Sequence, residues 1–550
     1  MATTLVSPTT TALAAARGES QWTDRRYAIK LISGLTCLAV AVHGYHPYVE
    51  DGGLYLAGVK RLLDPTLYPR QTAFVVEHLR FSIFAPVVAA MVRGSRLRVE
   101  TVMLFLYFAT IWITLFAAWN LVVRCYEDRV SRTGAVALLA TWLTLPIAGT
   151  SLMLMDPYVT ARSISTPCTL WALAGALDFL SEDGSRRRRL HGLLLAGCAL
   201  VFGLFFHPLM TAYAVVAVLV LATIQLSKTV WTWTAAGICV AAVTAAALPQ
   251  ALSVPESSDY VHVAMTRTYW FLSQWHWYER LGLAAPLLLL ARMARRQVDW
   301  PAPLALTRMS LTVGLASTVV ALLFAHVDST SHLIARLQPL RSFQLIYMVM
   351  FLFVGAEVSG RLLRRHAIRW TATFAVLAAV MLAAERQIFP NSAHIEFPEE
   401  SARRVEKNPW VRAFLWVRGN TPKGALLALD ADYIEKQGED AQCFRAIAER
   451  SALPDYSKDG GEASITPSLT KAWVQGESAQ NKLSAETDEE RVSALTPLGV
   501  DWVVLEKSAV TGFACDYANE AVKVCRMPET LNRTIVSSQS PASRPSGMRR

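Results

Sequence analysis

The stretch from Val102 to Val123, VMLFLYFATIWITLFAAWNLVV, runs for 22 residues without a charged side chain. A helix needs about 20 predominantly apolar residues to cross the hydrocarbon core of a bilayer, so this block reads as a membrane span. Blocks of the same kind recur at residues 29–45, 134–155, 164–180, 190–206, 209–226, 230–248, 281–294, 304–325, 343–358 and 368–384. Together they predict about eleven spans and a mainly α, polytopic transmembrane helix bundle. The bulk composition agrees: of 550 residues, 53% are hydrophobic and only 17% charged, with a mean hydropathy of +0.31. A soluble enzyme of this size is excluded. The net charge of +10 could suggest a nucleic-acid binder. The basic residues sit instead in short clusters between apolar blocks, where they act as topology signals, and no nucleic-acid partner is expected.

Arg25, Arg26 and Lys30 precede the first block, and no small-residue cleavage site follows it. It is expected to remain as a signal anchor, with residues 1–28 as a cytoplasmic tail. Residues 81–92 offer only about twelve apolar positions, too few to cross. If they do not cross, the clusters Arg186 to Arg189, Arg292 with Arg295 and Arg296, and Arg361 with Arg364 and Arg365 all fall inside. Positive-inside bias therefore favours an in-plane or re-entrant element there, with Arg93, Arg96 and Arg98 on the outer side, facing lipid phosphates. The same parity puts residues 46–80, 156–163, 249–280 and 326–341 outside, together with everything after Arg386.

The membrane domain is thus expected over residues 29–385. From residue 386 onward, 21 Lys and Arg stand against 23 Asp and Glu, the near-neutral balance of a separate extracytoplasmic domain at 386–528. Alternating helix-like and strand-like segments (410–418, 425–429, 442–449, 500–505) predict a small α/β fold. Cys515 and Cys525 are spaced for a hairpin disulfide, with Cys443 left over. The Ser-, Pro- and Arg-rich residues 529–550 are expected to be disordered.

Chemistry concentrates in the outer loops. His46-Pro47-Tyr48-Val49-Glu50-Asp51-Gly52-Gly53 sets two carboxylates directly after the first span, Gly52 and Gly53 would let the backbone turn sharply, and residues 54–63 read as an amphipathic surface helix. Glu50 or Asp51 could deprotonate a hydroxyl or, with Asp156, hold Mg2+ or Mn2+; Asp51 could equally cap the surface helix. Asp156 and Arg162 bracket a tight loop at membrane depth, where ionisable groups are costly. They could pair with each other, or Arg162 could take a phosphate. His207, Arg336 and Arg341 are further candidates for an anionic lipid headgroup, against structural roles as a hydrogen-bonding His and snorkelling arginines. Tyr269, Trp270, Trp275, Trp277 and Tyr278 form an aromatic cluster suited to an interfacial belt or to stacking on sugars.

This order of features resembles the GT-C superfamily of membrane glycosyltransferases, which includes the protein O-mannosyltransferases and the lipid A aminoarabinose transferase. The resemblance lies in an acidic pair just after the first span, a surface helix, a second outer loop with Asp and Arg, and a C-terminal outer domain opening with Trp416-Val417-Arg418-Gly419-Asn420-Thr421-Pro422. It implies transfer of a sugar from a polyprenyl-phosphate donor to an acceptor at the outer face of a bacterial inner membrane. Asp51 or Glu50 would match the first-loop acid, Asp156 the second-loop acid, and Arg162 a phosphate contact. Members often carry Asp-Glu or a single Asp; here the pair is Glu50-Asp51 with two glycines, which leaves open which carboxylate is the base. The alternative is a multi-pass transporter, lipid-binding protein or scaffold without bond chemistry. Such a transporter would carry mid-span charges and an internal repeat.

Overall fold

The structure, a computed structural model, describes residues 8–181, 184–227, 229–297, 301–396 and 406–528. The segment expected to be disordered, 529–550, lies outside the described residues.

The protein is mainly helical. Its membrane half comprises α1 (Pro8–His43), α2 (Glu50–Leu63), α3 (Phe84–Ser95), α4 (Val99–Val123), α5 (Arg129–Thr141), α6 (Ala161–Phe179), α7 (Arg186–Phe206), α8 (Pro208–Leu226), α9 (Trp231–Ala251), α10 (Trp277–Ala294), α11 (Pro301–Phe324), α12 (Phe343–Val358) and α13 (Ala367–Ile388), with short turns between them. Eight helical segments among the described residues are long and apolar enough to cross a membrane; they fall on α1, α4, α7, α8, α9, α11, α12 and α13. Residues 81–92 do not form a straight span: α3 follows the segment Ala73–Phe81 at a bend of 100°, the shape of a broken span or a re-entrant loop. Arg93 there donates to the Leu62 carbonyl at 2.6 Å.

Residues 134–155 are not one helix, although they read as one apolar block. α5 stops at Thr141, and residues 142–160 form an irregular loop closed by a bridge between Pro146 and Met153. Pro146 lacks an N–H, and its ring would clash with the carbonyl four residues earlier, so the helix ends before it. α6 is less apolar than a lipid-facing span, carrying Arg162, Ser163, Ser165, Thr166 and Asp178, and is buried along its length. A helix enclosed by other helices need not match lipid.

Small residues set the closest helix contacts. A Cβ on Gly175 would lie 2.6 Å from the Gly192 carbonyl, joining α6 to α7, and a Cβ on Gly355 would lie 2.5 Å from the Gly134 carbonyl, joining α12 to α5. Replacing Gly355 by Val is therefore expected to cost about 1–3 kcal/mol by forcing the helices apart. Thermal unfolding of the full chain in detergent should show it, while Gly197→Val, with nothing within 4 Å of its added Cβ, should leave the midpoint unchanged.

The C-terminal domain holds a five-stranded sheet of order β2-β1-β3-β5-β4. Its strands are β1 (Leu426–Ala428), β2 (Ser451–Ala452), β3 (Trp502–Glu506), β4 (Cys515–Ala518) and β5 (Val522–Arg526). β1 runs parallel to β2 and β3, and β5 is antiparallel to β3 and β4. The helices α14 (Pro409–Asn420), α15 (Phe444–Ala448) and α16 (Lys458–Ile465) accompany it. Cys515 and Cys525 form a disulfide across β4 and β5; Cys443 is a buried thiol.

This domain is docked on the membrane half through buried polar contacts. Lys60 of α2 reaches Glu449 at 2.9 Å and Glu100 of α4 at 3.0 Å, and donates to the Ala446 carbonyl at 2.9 Å. His46 is wholly buried between Glu385 of α13 and Glu396, each at 2.9 Å. Burial alone would lower its pKa, but the hydrogen bonds to the two carboxylates raise it. The imidazole thus fastens the loop after α1 to the chain leaving α13.

Candidate functional site

Where the docked domain meets the helices, a cavity of about 690 Å3 opens. Its walls come from residues 49–82, 146–162, 206–209, 266–269 and 338–341, from Ile388 and Phe389, and from residues 435–466 of the C-terminal domain. All four loops assigned to one side by charge parity therefore lie at one end of the bundle. Each helix pair between them leaves that end and returns to it: α4 with α5, α6 with α7, α8 with α9, α10 with α11, and α12 with α13.

Glu50 and Asp51 enter this cavity from the first turn of α2. The helix begins four residues earlier than the amphipathic pattern suggests, with Val49 as its N-cap and no side-chain cap, so Asp51 does not act as the cap. Glu50 sits at φ 54°, a left-handed conformation that costs a non-glycine residue free energy and concentrates at functional sites. Gly52 and Gly53 make no sharp turn; they lie within α2. What they supply is a missing side chain: a Cβ on Gly52 would sit 2.8 Å from the Tyr158 ring, and one on Gly53 would sit 2.2 Å from Cys443. The second loop and the C-terminal domain press against the acidic end of α2 through these two positions.

Asp156 and Arg162 pair at 2.5 Å, both almost fully buried. Burial pushes the Asp156 carboxyl up despite the guanidinium at its side. Arg162 keeps a buried Nε without a hydrogen-bond partner and lines the cavity. Arg341 lines it too, placed by the turn Pro339–Ser342 and stacked 5.6 Å above the Tyr269 ring; its Nε is likewise buried without a partner. Arg267 of the same half lines the cavity as well, but its guanidinium donates to two backbone carbonyls, which leaves Arg162 and Arg341, each with a buried unpartnered Nε, as the candidates for an anion.

His207 is in the cavity wall but does not serve as a cation. Burial, with Arg162 and Arg341 nearby, pushes its pKa down to about 3, and its Nδ1 accepts from the Met210 amide as the cap of α8. Arg336 lies outside the cavity wall, beside Tyr260. From the aromatic cluster only Tyr269 lines the cavity. Trp275 packs on Gly149, while Trp277 and Tyr278 are exposed, as an interfacial belt requires.

One residue at the centre carries no sequence signal. Lys458, at the start of α16, forms an ion pair with Glu50 and lies 3.6 Å from the Asp51 carboxylate. Burial pushes its ammonium down to about 8, while the carboxylates beside it favour the charged form. The loop that presents it is braced from three sides. Asp455 accepts from the Lys458 amide at 2.6 Å, and Asp459 accepts from the Asp455 amide at 2.8 Å. Arg445 grips Asp459 at 2.7 Å. From the membrane half, Arg267 donates to the carbonyls of Ser457 and Tyr456 at 2.6 and 2.7 Å.

The arrangement sets four cations, Arg162, Arg267, Arg341 and Lys458, among five carboxylates, Glu50, Asp51, Asp156, Glu435 and Glu462, with apolar walls at Phe81, Phe206, Leu209, Ile388 and Ile465. That combination suits a ligand with an anionic head and a hydrocarbon tail. Among the described residues, no group of three or more His, Cys, Asp and Glu side chains is arranged to hold a metal ion. Asp156, one of the two expected metal ligands, is engaged by Arg162. No protein-family model matches the chain, and no curated protein matches it, so the reading of this cavity rests on its own residues.

Proposed function

We propose that the protein is a membrane glycosyltransferase that moves a sugar from a polyprenyl-phosphate donor to an acceptor at the outer face of a bacterial inner membrane. The observation that carries this reading is the single cavity in which Asp51 faces Arg162 and Arg341 at the junction of the apolar helices and the C-terminal domain. In the same reading the chain crosses eleven times, α5, α6 and α10 completing the eight apolar helices, with the N-terminus inside and the C-terminal domain outside. The return of every helix pair to the cavity end supports that count.

Asp51 takes the proton from the acceptor hydroxyl as its oxygen attacks the anomeric carbon. The bond from that carbon to the phosphate oxygen breaks, its electron pair stays on the phosphate, and the configuration inverts. Arg341 and Arg162 hold the departing charge, each with a buried Nε that has no hydrogen-bond partner within the protein. Glu50, in its left-handed position, orients the turn that carries Asp51.

Mass spectrometry of the purified full chain incubated with a panel of polyprenyl-phosphate sugars tests the proposal. Release of polyprenyl phosphate with transfer or hydrolysis of the sugar is expected; no release from any donor opposes it. Arg341→Met should lower kcat/KM for the donor about tenfold or more, the worth of one charge-assisted hydrogen bond, with part of the loss in kcat because the phosphate gains charge as the bond breaks. The second reading, a lipid-binding relative without bond chemistry, is favoured by the ion pairs that already engage Asp156 and Glu50. It predicts donor binding with no turnover.

A further inference from the structure

The ion pair between Lys458 and the acidic end of α2 joins Glu50 and Asp51 of the first loop to a residue of the docked C-terminal domain more than 400 positions further along the chain. Four side chains brace the loop beneath it. Asp455 and Asp459 fold it, Arg445 anchors Asp459, and Arg267 holds the carbonyls just before Lys458. A surface lysine needs no such support. The ammonium also faces the same cavity as Arg162 and Arg341, so an anion held by those guanidinium groups would compete with Glu50 and Asp51 for it.

We infer that Lys458 is a phosphate ligand contributed by the C-terminal domain, paired with Glu50 and Asp51 until a lipid phosphate takes it over and thereby releases the acid pair. The choice of ligand rests on the reading above; the exchange of partners does not require that a sugar be transferred. No covalent bond changes in this step: one ion pair is replaced by another, and the freed carboxylate becomes able to accept a proton. The C-terminal domain then completes the site rather than covering it.

Binding of farnesyl phosphate to the full chain in nanodiscs tests this, with farnesol and inorganic phosphate as the two arms that separate the tail from the head. Lys458→Met should weaken farnesyl phosphate binding about tenfold or more, and Lys458→Arg should restore it to within a few-fold of the wild type. Glu50→Gln, which removes the competitor, should tighten binding several-fold, and that gain should vanish in the Glu50→Gln, Lys458→Met double variant. A purely structural lysine gives no tightening in Glu50→Gln. Equal affinity of wild type and Lys458→Met, both eluting as monodisperse protein, overturns the inference, as does a Glu50→Gln gain that survives without Lys458. If binding follows the expected pattern but no donor is turned over, the glycosyltransferase reading fails while this one stands. Turnover with unchanged binding in Lys458→Met gives the reverse.

Discussion

Asp51→Asn is expected to lower sugar transfer by about 10²–10⁴-fold, the range that a positioned general base contributes, while the protein still folds and inserts. The change is isosteric and removes the proton acceptor together with the longer of the two ion pairs to Lys458. Asp51 sits in the first turn of α2, partly exposed to the cavity, and its nearest cation, Lys458, stays paired with Glu50. The packing of Gly52 on Tyr158 and Gly53 on Cys443 does not depend on the charge. Glu50→Gln should fall less, since its role is to hold the turn. Initial rates with the active donor, compared with the thermal midpoint of each variant, separate loss of chemistry from loss of fold. An Asp51→Asn enzyme of full activity would remove it as the base.

The second large effect is on stability. Arg445→Met leaves Asp459, which is fully buried, without its guanidinium and next to Asp455, whose carboxyl is already pushed up by burial and by Asp459. Breaking a buried pair on one side costs about 3–5 kcal/mol, because the remaining charge is stranded. For a domain of this size that corresponds to a fall of about 10 °C or more in unfolding midpoint. Tryptophan fluorescence during heating of the full chain reads it, since Trp473 is buried against this loop and donates to the Asp455 carbonyl at 2.8 Å. A fall of less than a few degrees would show that the pair is not the brace described. The variant should also lose donor affinity, because the same loop presents Lys458.

How far the sequence leads depends on what each segment is asked to bury. The uninterrupted apolar run at residues 102–123 became a helix because no Gly or Pro within it breaks the backbone's own hydrogen bonds. Charge parity assigned four loops to one and the same side, and those four do gather around one cavity. In the C-terminal domain, the helix Pro409–Asn420 and the strands Leu426–Ala428 and Trp502–Glu506 fall where the local periodicity placed them. The run 134–155 misled because composition alone does not register that Pro146 ends a helix. Gly52-Gly53 read as a turn signal, yet the glycines serve close packing, which depends on partners distant in sequence. His207 and Arg336 belonged to the right loops, but burial of one and displacement of the other are three-dimensional facts. Lys458 was invisible for the same reason: it stands in a polar stretch of an ordinary-looking domain, and only docking brings it to Glu50.

The central claim is that the donor sits in a site built jointly by the outer loops and the C-terminal domain. A polyprenyl-phosphate analogue carrying a diazirine on the isoprene nearest the phosphate tests it most directly, by photo-crosslinking to the wild-type chain and peptide mapping. Labelled peptides are expected from the second loop around Arg162, from His207 to Leu209, and from residues 456–466 of the C-terminal domain, all lining the cavity, and excess farnesyl phosphate should suppress them. Labelling confined to lipid-facing helices, with none in the C-terminal domain, would contradict the account.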